Sequence, residues 1–473
     1  MGAQAAIVRG VVGITLGLMA GVMAVHGYAA EGTVYDDNLA PIPAPVLPPI
    51  PDSSSEVAPV PGPAPGRRPV DAERPSGFTQ PLRAGSFLLY PEIIAQGFYD
   101  SNVFYTNANP LSDRAFVFAP AIWAQSDWRE HALNFYAAAD LTRYDRYTIE
   151  NTNDYRLSGE GRYDIDVDSS VYGGLRYSRD HQDRESPEGR NGLEPTVYYA
   201  GRGYAGWFRQ FGKVSVRVAG TVLNLDYQDV PFLTGGGQIA IINNDDRDRT
   251  QYTGGVRVGY EVSPRAEPFV QVAFDDRRYK NPDDLGQIPA LPQYAGLERD
   301  SNGYRAVGGL RYNLPSVLKA EFYAGWLGQN YVDWRLADVS TPAFGMALQW
   351  QATDRIRVNA TIDRTIEETT VLQVTPTVVP ASSFVNTYLL ANAAYRASDR
   401  LTLRVLGSAS RVAYQGIART DDYFSAGAGV FFRLERRLFV DISYLYRTLH
   451  SSEPFENFEK NQVFLAFGVL IAP

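Results

Sequence analysis

The chain offers few side chains that could run a reaction. Beyond the N-terminal region it has three histidines, His131, His181 and His450, in separate segments, with no second histidine at metal-ligand spacing. No G-x-S-x-G serine is present, so a Ser–His–Asp hydrolase would have to assemble its triad from distant segments. The absence of cysteine removes a thiol nucleophile, a Cys-ligated zinc, an iron–sulfur cluster and a disulfide framework. Gly201-Arg202-Gly203-Tyr204-Ala205-Gly206 matches the dinucleotide fingerprint, but that chemistry needs a helix N-terminus against the pyrophosphate. The next residues, Trp207 to Lys213, read as a strand end and a turn. Acidic groups at Asp245, Asp246 and Asp248, at Asp283 and Asp284, and at Asp421 and Asp422 could hold calcium or a cation bridging lipopolysaccharide. They read better as solvated connectors, the first partly neutralised by Arg247 and Arg249. A net charge of −9 excludes a nucleic-acid partner, which would require clustered Lys and Arg. No metal and no cofactor is expected.

The stronger pattern has a period of two. Ile356, Val358, Ala360 and Ile362 alternate with Arg357, Asn359, Thr361 and Asp363. Leu438, Val440, Ile442 and Tyr444 alternate with Phe439, Asp441 and Ser443, and Leu133, Phe135, Ala137 and Ala139 alternate with Asn134, Tyr136 and Asp140. Each segment is a strand with one apolar and one polar face. In a soluble sandwich the apolar faces would pack together. In a membrane barrel they meet lipid, and the polar faces meet a watery lumen.

Turn spacing separates these cases. Tight connectors centre near residues 128, 167, 211, 264, 315, 354, 399 and 435, with longer ones between them, such as 229–246, 281–297 and 371–382. Two strands fill each interval, too few for a propeller blade. Short turns alternating with long loops are the signature of an outer-membrane barrel. The eight tight turns join sixteen strands; one more precedes them (about 87–105) and one comes after (about 458–472). The expectation is therefore an all-β, antiparallel transmembrane barrel of 18 strands over residues 87–473, in the outer-membrane lipid bilayer of a bacterial cell. Both termini fall on the periplasmic side. Aromatics near strand ends, namely Trp123, Trp128, Trp207, Phe211, Tyr312 and Trp350, suit the lipid–water boundary. The final strand, Asn461 to Ile471, resembles the terminal signal read by the outer-membrane assembly machinery, although the chain ends in Ala472-Pro473 rather than an aromatic.

Two segments precede the barrel. Residues 1–29 carry Arg9, an apolar run from Gly10 to Val25, and Gly27-Tyr28-Ala29, and read as a signal peptide. Residues 30–86 form a Pro-rich, disordered periplasmic segment, with 12 prolines between 31 and 76. Proline removes amide donors and favours an extended chain, so this is a tether, or else a docking tail.

Any function should sit in the lumen. By parity the inward set includes Arg156, Glu160, Arg162, Asp164, Arg176, Arg217, Arg257, Glu261, Arg305, Arg311, Glu321, Arg357, Asp363, Arg404, Asp441 and Arg447. Arginine and carboxylate along one wall hydrate a pore, order a transverse field and offer many weak hydrogen bonds to a polar or acidic polymer. The same residues could equally form ladders that stiffen a wide barrel. Tyr136, Tyr172 and Tyr323 share this parity and could present surfaces to sugar rings.

Leu89-Tyr90-Pro91-Glu92-Ile93, Tyr99-Asp100-Ser101-Asn102-Val103-Phe104 and Pro120 resemble the opening of the family described as "Putative beta-barrel porin 2". The likeness extends over about 87–472, with its specific part in the first two strands. It implies an outer-membrane barrel that passes a secreted exopolysaccharide, often with a periplasmic polysaccharide-export protein, and no catalytic residues. A general or substrate-specific diffusion porin and an outer-membrane enzyme remain the alternatives. Nothing in the sequence identifies an oligomer face.

Overall fold

The computed structural model describes residues 81–189, 192–233, 237–282, 292–373, 378–435, 437–453 and 456–470. The leader, most of the proline-rich segment and Asp283-Asp284 lie outside these residues. Eighteen long strands run in chain order. They are β1 (Phe87–Asp100), β2 (Asp113–Ser126), β3 (Ala132–Tyr144), β4 (Thr152–Asp166), β5 (Ser169–His181) and β6 (Val197–Phe211). Next come β7 (Val214–Tyr227), β8 (Arg249–Tyr260), β9 (Ala266–Tyr279), β10 (Ser301–Leu314), β11 (Leu318–Tyr331) and β12 (Val339–Thr353). The last six are β13 (Ile356–Glu368), β14 (Ser383–Arg396), β15 (Leu401–Tyr414), β16 (Thr420–Arg433), β17 (Leu438–Ser451) and β18 (Phe458–Leu470). Each pairs antiparallel with its sequence neighbours, and β18 returns to β1 through Leu470–Glu92 to Gln462–Asp100, closing the ring.

All eight tight turns fall where the sequence places them, at the end that holds both termini of the ring. One of the two-residue turns, Gly212-Lys213 between Phe211 and Val214, places Gly212 at φ +60°, which costs a residue without Cβ little. Two boundaries differ from the sequence reading. The first strand ends at Asp100, not near 105, because the Asp100 carboxylate accepts the Asn102 amide (2.9 Å) and bends the chain. Leu82–Ala84, inside the expected tether, forms a short strand paired with Phe87–Leu89.

The two faces obey the alternation. On β5, Val171, Leu175 and Tyr177 point outward and are exposed, while Ser170, Tyr172 and Ser178 point inward and are buried. On β8 the outward row is Tyr252, Val256, Val258 and Tyr260, against Arg249, Gln251 and Arg257 inside. Tyr155, Tyr177 and Tyr199 lie in a row on neighbouring strands, with ring centroids 6.3 Å apart, on the outer face below the long loops. Phe211, Tyr260 and Trp350 are exposed at the opposite end. These are two aromatic belts of the kind that lie at the two faces of a bilayer. Trp123 is an exception to the sequence reading. It shares the inward parity of Asp113 and Gln125 and packs on Tyr136 (5.8 Å).

One seam departs from a simple cylinder. The β12–β13 ladder stops at Gly345–Asp363, although β12 runs back to Val339 and β13 on to Glu368. β13 stays paired with β14 to its end, at Glu368–Ser383. Above Asp363 this hairpin leaves the wall and tucks inside it. Arg364 donates to the Thr341 hydroxyl (2.9 Å), Ile366 is buried in a cluster with Phe269, Val307, Leu327 and Ala343, and Glu368 accepts from Tyr279 and Tyr331 (2.8 and 3.2 Å). Those partners lie on the inward rows of β9 to β12. The even-numbered residues of β13 therefore change environment along one strand, from lipid below Asp363 to the inner wall above it.

The two-faced wall makes a direct prediction. Leu175 is mid-strand and strongly exposed, whereas its neighbour Arg176 faces inward. Leu175→Arg should destabilise the barrel by about 2–4 kcal/mol, as for a cation near the bilayer midplane. Reversible urea unfolding in liposomes would measure it; a cost near zero would mean that this row does not meet hydrocarbon.

Candidate functional site: the lumen and its external mouth

Side chains from the inward rows build a ladder of ion pairs. Arg257 forms a two-pronged bond with Glu321 (2.8 and 2.9 Å), and Arg311 Nε also donates to Glu321 (3.2 Å). Arg305 donates to Asp363 (3.0 Å) and to the Tyr323 hydroxyl (2.6 Å). Arg156 reaches Asp180 (3.2 Å), Arg162 reaches Asp164 (2.8 Å), and Arg404 pairs with Asp441. Glu160 accepts from Asn134 (3.1 Å) and from Tyr204 (3.3 Å), and Arg357 donates to Gln351 (3.0 Å). Arg176 and Arg217 also lie in inward rows. By strand parity these side chains lie on the inward rows of their strands. Glu261 does not, because β8 ends at Tyr260 and leaves Glu261 exposed in the tight turn.

Planar forks fixed by carboxylates keep their orientation, so the wall is ordered before any solute arrives. Tyr172 and Tyr323 do not stand free as platforms for sugar rings. Their rings lie over Gly206 and Gly345 of the adjoining strands, where any Cβ would collide with them. The Asp100–Asn102 segment serves strand-end bonding: Asp100 pairs with Lys460 (2.7 Å), and Asn102 donates to the carbonyls of Thr106 and Glu459.

The connector between β5 and β6, described over residues 182–189 and 192–196, spans the external mouth. Its Glu185 meets Arg447 of β17 (3.0 Å), and its Asp183 accepts from Tyr105 (3.3 Å). Its Arg184 binds Glu150 (3.0 Å) and its Gln182 accepts from Arg247 (3.0 Å). Its Glu188 accepts from the Thr369 hydroxyl (2.5 Å) and the Thr370 amide (2.9 Å), just past the end of β13. No single place on the wall adjoins β17, β8 and β13 together, so this connector lies across the opening. Beneath it, Arg277 is fully buried between Asp275 and Glu368, and Arg299 bonds the carbonyls of Thr369 and Ala381 (2.8 and 3.0 Å). The in-folded hairpin and the connector therefore hold each other across the mouth. The sequence marks 229–246, 281–297 and 371–382 as long connectors and does not single out the one after β5. The signal was Arg364 and Glu368 on the apolar row of β13, where lipid would not tolerate them.

The remaining candidates dissolve into structural roles. Gly201–Gly206 lies inside β6, which runs straight into a tight turn and β7. His131 takes a left-handed turn conformation, accepts the Asp164 amide at Nδ1 (3.0 Å) and stacks on Tyr163. His181 pairs with Asp154 (2.8 Å) at the other end of the ring, and His450 is exposed on β17. Asp248 binds the Tyr227 amide and Lys280, and Asp421 binds Arg419. Among the described residues no three His, Asp or Glu side chains form a metal-binding group.

A family model described as "Putative beta-barrel porin 2" matches residues 74–469. The chain belongs to this family. It is an outer-membrane β-barrel of porin type, and the match begins 13 residues before the expected barrel start, ahead of the short Leu82–Ala84 strand. No curated protein matches the chain. Among solved structures, OpdO of Pseudomonas aeruginosa is 12% identical, with a TM-score of 0.40, over 81% of this chain and 97% of that one. A variant of the Pseudomonas aeruginosa ferric enterobactin receptor with bound enterobactin is 7% identical, with a TM-score of 0.45, over 82% of each chain. The copper transporter OprC is 8% identical, with a TM-score of 0.46, over 83% of this chain and 81% of that one.

The mouth contacts predict a pH response. Burial opposes ionisation of Glu188, yet Arg247 and the hydrogen bonds from Thr369 and Thr370 hold its pKa below the usual 4.5. A carboxylate with a depressed folded-state pKa stabilises above its ordinary pKa and loses that stabilisation as pH falls through the depressed value. Bilayer conductance should thus stay low at neutral pH and rise only below about pH 4.5. Glu188→Ala should raise conductance severalfold at pH 7. Unchanged conductance in this variant would show that the connector does not close the mouth.

Proposed function

We propose that this barrel is a passive outer-membrane conduit for a secreted exopolysaccharide, fed from the periplasm by a polysaccharide-export partner. The observation that carries the reading is the inner wall. Arg156, Arg257, Arg305 and Arg404 are held in place by carboxylates on strands from β4 to β17, so a hydrated chain meets repeated, similar donors. Many shallow sites favour onward movement of a polymer over retention of one molecule. The family points the same way, since such barrels are often encoded with exopolysaccharide synthesis and secretion genes. A connector lying across the external mouth suits a conduit that opens for its polymer and otherwise protects the envelope. The barrel performs no reaction of its own in this reading, and its proline-rich N-terminal segment serves as a periplasmic tether.

The alternative is a diffusion porin for small solutes, which the mixed-charge wall would also hydrate. Gene deletion separates the two. The conduit reading expects surface polysaccharide to disappear while uptake of small sugars and antibiotics stays at the wild-type rate. Normal secretion with reduced solute uptake would establish the porin instead.

A further inference from the structure

In the half of the lumen nearer the tight turns, one group of arginines outnumbers the carboxylates it engages. Arg217 of β7 and Arg257 of β8 stand directly opposite each other on the inner face, and both are buried. Like charges in that position repel. Arg257 is answered by both oxygens of Glu321, which Arg311 also engages. Arg311 reaches Glu267 (3.3 Å), whose other oxygen accepts from the Ser215 hydroxyl (2.6 Å). Glu267 crosses β8 to do so over Gly259, where a Cβ would strike its carboxylate. Arg257 and Arg311 thus share two carboxylates, and all four carboxylate oxygens are engaged, which leaves Arg217 outside the set.

The surplus charge rests on Arg217. It has no carboxylate partner among the described residues, and its buried Nε has no acceptor. Its guanidinium lies over the ring of Phe208 on β6 (5.2 Å). Arg311 Nη2, in the same cluster, is likewise buried without an acceptor. Desolvated cations left without partners are costly, and an anion from outside the chain would offset that cost. A planar fork beside an aromatic face suits a carboxylate carried on a flat, partly apolar ring.

We infer that Arg217, Phe208 and Arg311 form an anion subsite in the lumen that takes the carboxylate of an acidic sugar unit, so that the exported polymer is anionic. This rests on the conduit reading and adds the charge class of its cargo. The subsite lies four residues into β7 from its tight turn, so a polymer entering from the periplasm would meet it early.

Isothermal titration calorimetry on the full-length detergent-solubilised barrel at low salt tests it. The probes are hexagalacturonate, maltohexaose and inorganic phosphate. Hexagalacturonate should bind and maltohexaose should not. Arg217→Gln should weaken hexagalacturonate roughly tenfold or more, the loss of one charge-assisted pair. Arg217→Lys should restore part of the affinity, and Arg411→Gln, on the outer face of β15, should leave it unchanged. Heat-modifiable gel mobility would confirm that each variant is folded. Equal binding of maltohexaose, unaltered affinity in Arg217→Gln, or phosphate binding as tight as hexagalacturonate would each overturn the subsite. The conduit reading fails separately, if the deletion strain secretes polysaccharide normally whatever the calorimetry shows.

Discussion

Inside a bilayer, a backbone amide or carbonyl without a partner has no water to turn to. This constraint orders the rest of the structure. It forces eighteen strands into a closed antiparallel ring, with β18 bonded back to β1. Once the ring is closed, strand pleating sends alternate side chains to two solvents, which sets the apolar outer rows and the charged inner ones. The parting of β12 and β13 lies at the end of the strands toward the long loops. There the parted edge is covered by side chains: Arg364 reaches across to Thr341, and Ile366 fills an apolar cluster.

That local release has a consequence for transport. A hairpin free of one neighbour can lean into the lumen, and its inward position gives the β5–β6 connector something to grip. Glu188 on Thr369 and Thr370, Glu185 on Arg447, and Glu368 beneath them place charged contacts from distant parts of the ring within one plug. Buried charge pairs of this kind contribute little net stability compared with apolar packing, but removing one partner is costly. A plug built from them is specific in position and sensitive to loss of a single member. The inner wall below it is ordered by the same arginine–carboxylate chemistry.

Much of this was legible in the sequence. The alternation in Ile356–Asp363 set the faces of β13, and Gln210–Lys213 marked a tight turn, because both depend only on local backbone geometry. The arginines of the lumen came from parity. The features that escaped depended on contacts distant in sequence. Trp123 near a strand end reads as a belt residue, yet its parity turns it inward onto Tyr136. Arg184, Glu185 and Glu188 look like any solvated loop until β17 and β13 are placed around them. The in-folding left one trace, the charges at Arg364 and Glu368 on an otherwise apolar row. That trace acquires meaning only once the row is known to face lipid below it.

Because the chain has no cysteine, a spin label can be placed at single engineered cysteines along β13 of the barrel in liposomes. Collision rates with oxygen, which concentrates in lipid, and with a water-soluble nickel chelate report the solvent at each position from 356 to 368. Oxygen access should peak at 356, 358, 360 and 362, alternate with chelate access at 357, 359 and 361, and then fall at 364, 366 and 368. Oxygen peaks that continue to 368 would put the whole strand in the wall and remove the plug. A profile with no period of two would contradict the two-solvent barrel itself.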